Sequence, residues 1–142
     1  MIVLDTNVIS ELMRAQPDLR VMSWLVEFGG EQAMATTVIT CTELTYGIRT
    51  LAAGRKKSDL TAKFEVLSSR LNKFELDRLA ASHAAEFRIM REDSGLDWED
   101  ADIYIAGIAH RREAVLATRN IKDFKGLPIE TVNPWDHPAA MN

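Results

Sequence analysis

Short apolar runs alternate along the chain with longer stretches of helical period. Residues 2–5, IVLD, form an apolar run closed by a carboxylate, as in a strand buried on both faces. Val8, Ile9, Leu12 and Met13 follow at helical spacing, so Asp5 stands where a strand gives way to a helix. Residues 17–28 read as a helix ending at Gly29 and Gly30. Residues 32–37, QAMATT, are a weak second strand, and 38–51 are helical, closing near Gly54. In 57–71, Leu60, Phe64, Leu67 and Leu71 recur at helical spacing as an apolar stripe. Residues 73–76, KFEL, form a short strand, after which Asp77 caps a helix running to Gly95. Asp97 is expected to cap another, from Trp98 to about Arg112. The runs AVLAT, 114–118, and IETV, 129–132 after Pro128, complete the strands.

Strands alternating with helices imply a parallel sheet covered on both faces. Right-handed crossovers then leave an α/β fold, a three-layer α/β/α sandwich with a central, mostly parallel sheet. The 142 residues are expected to form one domain, 1–142. Such folds bind ligands outside the carboxyl ends of their strands. Asp5 follows the first strand, the second leads towards Glu43, and Thr118 to Asn120 follow the strand 114–118.

Each of these polar positions has a bland alternative. Asp5 with Thr6 and Asn7 can simply satisfy helix N–H groups. Thr40-x-x-Glu43 matches a capping box. A first turn starting after Thr37 instead places Glu43 inside the helix, with Gly47 one turn along the same face. A glycine there suggests close approach to something. Asn120 can cap a short helix with Asp123 one turn on. Asp102 resists such a reading, because Ile105, Ala106 and Ala109 put it on the small apolar face of its helix. An inward carboxylate needs a cation or a proton; Asp97, Glu99 and Asp100 need only the helix dipole.

Together these acids, on separate elements at one sheet edge, suggest a site for a hard cation such as Mg²⁺, which takes oxygen ligands and substrate phosphates. Such a metal can lower the pKa of a bound water and assist phosphodiester hydrolysis. Composition changes this picture little. The chain is 46% hydrophobic and 27% charged, as soluble proteins are, with a net charge of −4. Six acids and no base crowd residues 92–102. An acidic balance argues against general nucleic-acid binding, which needs Lys and Arg, but bound metal reverses the local field. Basic clusters stand at 55–57, 111–112 and 119–125. No run is long enough to span a bilayer and no leader pattern opens the chain, so a cytoplasmic location is expected. Cys41, the lone cysteine, reads as core in a reducing compartment; His83, His110 and His137 lack metal-ligand spacing and read as structural or surface residues.

The segments MIVLDTNVISEL, TCTELTYGI, DADIYIAGIA, LATRNIKDF and the closing VNPW, in this order, resemble the PIN-domain ribonucleases. The resemblance is to the VapC-type toxins, in particular the FitB-like branch, and covers essentially the whole chain. It implies an endoribonuclease using Mg²⁺ or Mn²⁺, paired with a small DNA-binding antitoxin through which alone it meets operator DNA. Residue by residue, Asp5, Glu43 and Asp102 match the family acids, which implies Asp5 and Asp102 as metal ligands, with Glu43 beside the metal to activate or orient water. The fourth position holds Asn120 where some members have Asp; Asp123 is the alternative. Thr6, expected to orient Asp5, and Thr118 are supporting residues. A homodimer with a groove leading to each site is implied as well. In it the stripe Leu60/Phe64/Leu67/Leu71 packs at a dimer or antitoxin surface, unless it is simply intramolecular core. Arg49, Arg55, Lys56 and Lys57 are candidate RNA-backbone contacts, against the bland reading of a solvated loop.

Two rival functions remain. A haloacid-dehalogenase-type phosphatase needs a second Asp two residues after its Asp nucleophile, and Asn7 stands there. A catalytically weak binding module, acting through an antitoxin or RNA, draws its support from Asn120.

Overall fold

The computed structural model describes residues 1–140, in which five parallel strands form one sheet between helices. The strands are β1 (Ile2–Leu4), β2 (Met34–Thr37), β3 (Asn72–Phe74), β4 (Val115–Ala117) and β5 (Thr131–Val132). The helices are α1 (Thr6–Leu12), α2 (Leu19–Gly29), α3 (Val38–Arg49), α4 (Arg55–Ser69), α5 (Arg78–Asp93) and α6 (Asp100–Arg111). Short 3-10 turns cover Ile121–Phe124 and Pro134–Asp136. This is the expected three-layer α/β/α sandwich, and the sheet is parallel throughout.

The sheet order is β3-β2-β1-β4-β5, so the winding direction reverses between β1 and β4. Val3 pairs with Leu116 and Leu4 with Ala117 at that reversal. Alternate residues of each strand feed opposite cores. Val3 and Leu116 join Ala84, Phe87, Ile105 and Ala109 on the α5/α6 face. Ile2, Leu4 and Ala117 join Val8, Ile9, Val21, Trp24 and Trp135 on the other. No helix among the described residues is long and apolar enough to cross a membrane.

Several local expectations need correction. Asp97 does not cap α6; Glu99 holds the cap position without a side-chain bond, and the helix begins at Asp100. The carbonyl of Asp97 is instead taken up by Arg91. Asp18, whose side chain accepts from the Arg20 N–H, starts α2 two residues later than the apolar pattern suggested. The capping box at Thr40 is absent: Thr37 caps α3 through the Thr40 N–H, and Glu43 lies inside the helix. Gly47 approaches nothing, since a Cβ there would meet open space. The glycine that does permit close packing is Gly107 on α6, where a Cβ would lie 2.5 Å from the Ala80 carbonyl oxygen.

Candidate active site

The reversal between β1 and β4 opens a crevice at the carboxyl ends of the strands, where open α/β sheets collect their ligands. A cleft of about 630 Å³ lies there, lined by Asp5, Glu43, Asp102, Asn120 and Asp123 together with Thr6, Asn7 and Glu99. Asp5 caps α1 as the bland reading supposed, and it also faces this cleft. The chain thus brings together residues from the ends of β1 and β4, from the middle of α3 and from the first turn of α6.

Asp5 is buried, and its oxygens are held by three donors. Oδ1 accepts the Thr6 N–H at 2.8 Å, and Oδ2 accepts the Thr118 hydroxyl at 2.7 Å and the Asn7 amide at 3.3 Å. Asn7 in turn accepts the Arg119 N–H at 3.1 Å, closing a small network across the sheet reversal. Thr6 holds Asp5 through its backbone N–H, and its hydroxyl donates to Glu43 Oε1 at 2.7 Å, so it orients both carboxylates. Thr118 also accepts the Asn120 N–H at 3.1 Å. The Asn120 side chain makes no capping bond and lines the cleft, with Asp123 on the following 3-10 turn.

Asp102 is half-buried on α6. Burial, followed by the charges of Asp5, Asp123, Glu99 and Glu43, pushes its carboxyl up to about 7. Burial also raises Asp5, with hydrogen bonds from Thr118 and Thr6 opposing and the Glu43 charge adding to the rise. Among the described residues, none of Asp5, Glu43, Glu99, Asp102 and Asp123 makes an ion pair. The two arginines lining the cleft are otherwise engaged: Arg14 pairs with buried Glu11 at 3.0 Å, and Arg119 lies over the Trp135 ring at 4.9 Å.

An all-oxygen set in which Asp5 and Asp102 are raised, with no cationic partner among the described residues, suits a hard divalent ion. Among the described residues no three His, Cys, Asp or Glu side chains form a ready-made metal cage. Mg²⁺ does not require one, since it keeps several waters and uses one or two carboxylates with substrate oxygens. The donor chemistry fits.

Arg14, Arg119, Trp135 and Glu99 escaped the sequence reading as cleft residues. Arg119 and Trp135 lay inside quoted segments, but only the reversal of strand order places them beside Asp5. The three histidines contact one another or neighbouring groups away from the cleft. His83 and His110 pack edge to face at 4.5 Å, His110 Nδ1 lies 3.1 Å from the Pro128 carbonyl, and His137 meets Glu27 at 2.9 Å. Cys41 is half-buried and free.

A second depression, apolar and about 860 Å³, runs between α1, α3 and α4. Met13, Leu44, Ile48, Leu51 and Leu60 line it, together with Arg55, Lys56 and Lys63. Ser10 and Arg14 line both this groove and the acidic cleft. Of the stripe, Leu60, Phe64 and Leu67 lie on α4 and Leu71 just beyond its end at Ser69; all four pack, half-buried, against the core of their face. Lys57 reaches the Arg49 carbonyl at 3.0 Å.

The family profile described as PIN domain matches residues 2–129. The VapC ribonuclease Y4jK of Sinorhizobium fredii is 33% identical over 141 residues, covering 96% of this chain and 99% of that protein. Toxin FitB of Neisseria gonorrhoeae is 35% identical over 140 residues, covering 95% of this chain and 99% of its own. The fold also matches the solved structure of FitAB bound to an IR36 DNA fragment, with a TM-score of 0.85 and 32% identity, covering 99% of this chain and 100% of that one.

Proposed function

The chain belongs to the PIN-domain family, and on that premise we propose that it is a divalent-metal-dependent endoribonuclease, the toxin of a toxin–antitoxin pair. The observation that carries this reading is the convergence of Asp5, Glu43, Asp102 and Asp123 from four elements on one cleft, with no cation paired to them among the described residues. Asp5 and Asp102, with Glu43 beside them, would hold Mg²⁺ or Mn²⁺, which supplies charge for the phosphodiester and acidifies water. Thr118 and Asn7 fix Asp5, so its oxygens need not reorganise as charge develops. Glu43, anchored through one oxygen by Thr6, keeps the other to orient a water and accept its proton. Asn120 brings an amide without charge, and Asp123 supplies the further carboxylate of that rim. Arg119, held against Trp135, would meet the RNA backbone.

We place a segment of a small antitoxin in the apolar groove, which leads to the acidic cleft past Arg14. The FitAB complex on DNA supports the view that operator DNA is reached through that partner. A homodimer in the cytoplasm completes the proposal.

The test is cleavage of structured RNAs, tRNA included, by the purified chain in Mg²⁺, Mn²⁺ or EDTA, with Asp102→Asn as control. Metal-dependent cleavage that falls roughly 100-fold or more in the control is expected, because removing a ligand should cost at least as much as disturbing its supporting shell. Equal inertness of both proteins, with no metal binding by calorimetry, would instead favour a binding module that has lost turnover.

A further inference from the structure

Arg91 is the charged group to which the proposed chemistry gives no role. It lies on α5, 5% exposed, and continues the buried stripe Ala80, Ala84 and Phe87. An apolar side chain is the default at such a position, because burying a charge is costly unless it is fully bonded. No carboxylate pairs with it among the described residues. Its guanidinium is satisfied by backbone carbonyls alone. Nε and Nη2 donate to the Asp97 carbonyl at 3.0 and 2.6 Å, and Nη1 donates to those of Lys125 at 2.8 Å and Lys122 at 3.3 Å.

These carbonyls belong to two separate segments. Asp97 sits in the connection that enters α6, just ahead of Glu99 and Asp102, while Lys122 and Lys125 flank Asp123 around its 3-10 turn. Both segments line the acidic cleft. The fork of the guanidinium spans them as a strut, holding each by its backbone and leaving the carboxylates free to face the cleft. A lysine donates its three N–H groups from one nitrogen and cannot span the two segments as the planar fork does. An apolar residue would fill the stripe but take the donor from the Asp97 and Lys125 carbonyls, while that of Lys122 keeps the Lys125 N–H.

We infer that Arg91 is a positioning residue that fixes the spacing between the Asp102-bearing start of α6 and the Asp123-bearing turn, and thereby sets the affinity of the cleft for a divalent cation. The inference rests on the cation reading of the proposed function. It is tested by calorimetric titration of Mn²⁺ into the full chain and into Arg91→Met, Arg91→Lys and Val21→Ala, each checked for fold by circular dichroism. Val21 is fully buried in the core on the opposite face of the sheet and controls for lost stability alone. Mn²⁺ affinity is expected to fall roughly tenfold in Arg91→Met and less in Arg91→Lys, while Val21→Ala keeps the wild-type value. If Arg91→Met does not fold, Arg91→Lys decides: weakened binding supports the strut. Wild-type affinity in a folded Arg91 variant, or an equal loss in Val21→Ala, overturns it. A wild-type chain that binds no Mn²⁺ removes the cation reading and this inference with it.

Discussion

The helix pairs α5/α6 and α3/α4 carry the same helical periodicity in the sequence and pack very differently. On α5, Ala80, Ala84, Phe87 and Arg91 are buried, and α6 presses against them so closely that only a glycine fits at 107. On α4 no residue is buried; its stripe is half-covered, and an apolar groove separates it from α1 and α3. The first pair is a closely packed mount for Asp102. The second leaves apolar surface in reach of a partner. Periodicity reports which face turns inward, and small residues at facing positions report how close the neighbour comes.

This contrast can be broken most forcefully with matched phenylalanines. Phe87→Ala should cost about 3–5 kcal/mol, as expected for a closed core. Phe64→Ala, half-covered on α4, should cost about a third of that. Chemical denaturation of both variants measures the difference, and equal losses would mean that α4 is held as tightly as α5 in solution. Matched glycines give the next largest effect, with opposite signs. Gly107→Ala drives a methyl into the Ala80 carbonyl and should destabilise by about 1–3 kcal/mol. Gly47→Ala meets open space on a helix and should stabilise by about 0.5–1 kcal/mol. Melting temperatures that move in the same direction would contradict the packing described.

The comparison also has a pH dependence. In the metal-free fold Asp102 holds its proton up to about 7, whereas its ordinary value is 3.8. Between these values the folded chain binds more protons than the unfolded one, so the contribution of Asp102 to stability is present below about pH 4 and is lost as pH rises through 7. Asp5, raised by burial, acts in the same direction. Wild type should therefore melt lower relative to Asp102→Asn as pH rises across this window. Saturating Mg²⁺ should close the gap above pH 7. Parallel melting curves would show that Asp102 titrates in the folded chain as it does unfolded.

The layer architecture, all five strands and the central acids were legible because they rest on period, strand ends and spacing, which are local properties. Asp102 stood out since no solvated role explains a carboxylate beside Ile105, Ala106 and Ala109. What stayed hidden depends on distant neighbours. Asp97 looked like a cap until Arg91 claimed its carbonyl from another helix. Gly47 and Gly107 are alike in sequence, and only the position of α5 tells them apart. The hydroxyl of Thr6 chose Glu43, 37 residues away, over its neighbour Asp5.

The position of β1 in the middle of the sheet has a consequence for the order in which the chain acquires its chemistry. Its flanking strands are β2, synthesised soon afterwards, and β4, synthesised much later. Asp5 and Thr118 are 113 residues apart along the chain, yet they share a hydrogen bond. A ribosome making about 5–20 residues per second therefore exposes Asp5 several seconds before the strand that completes its surroundings. Pairings of such long sequence separation also form slowly. A nascent chain lacking β4 has its first acid and no cleft, so the activity proposed here would switch on late in synthesis and all at once.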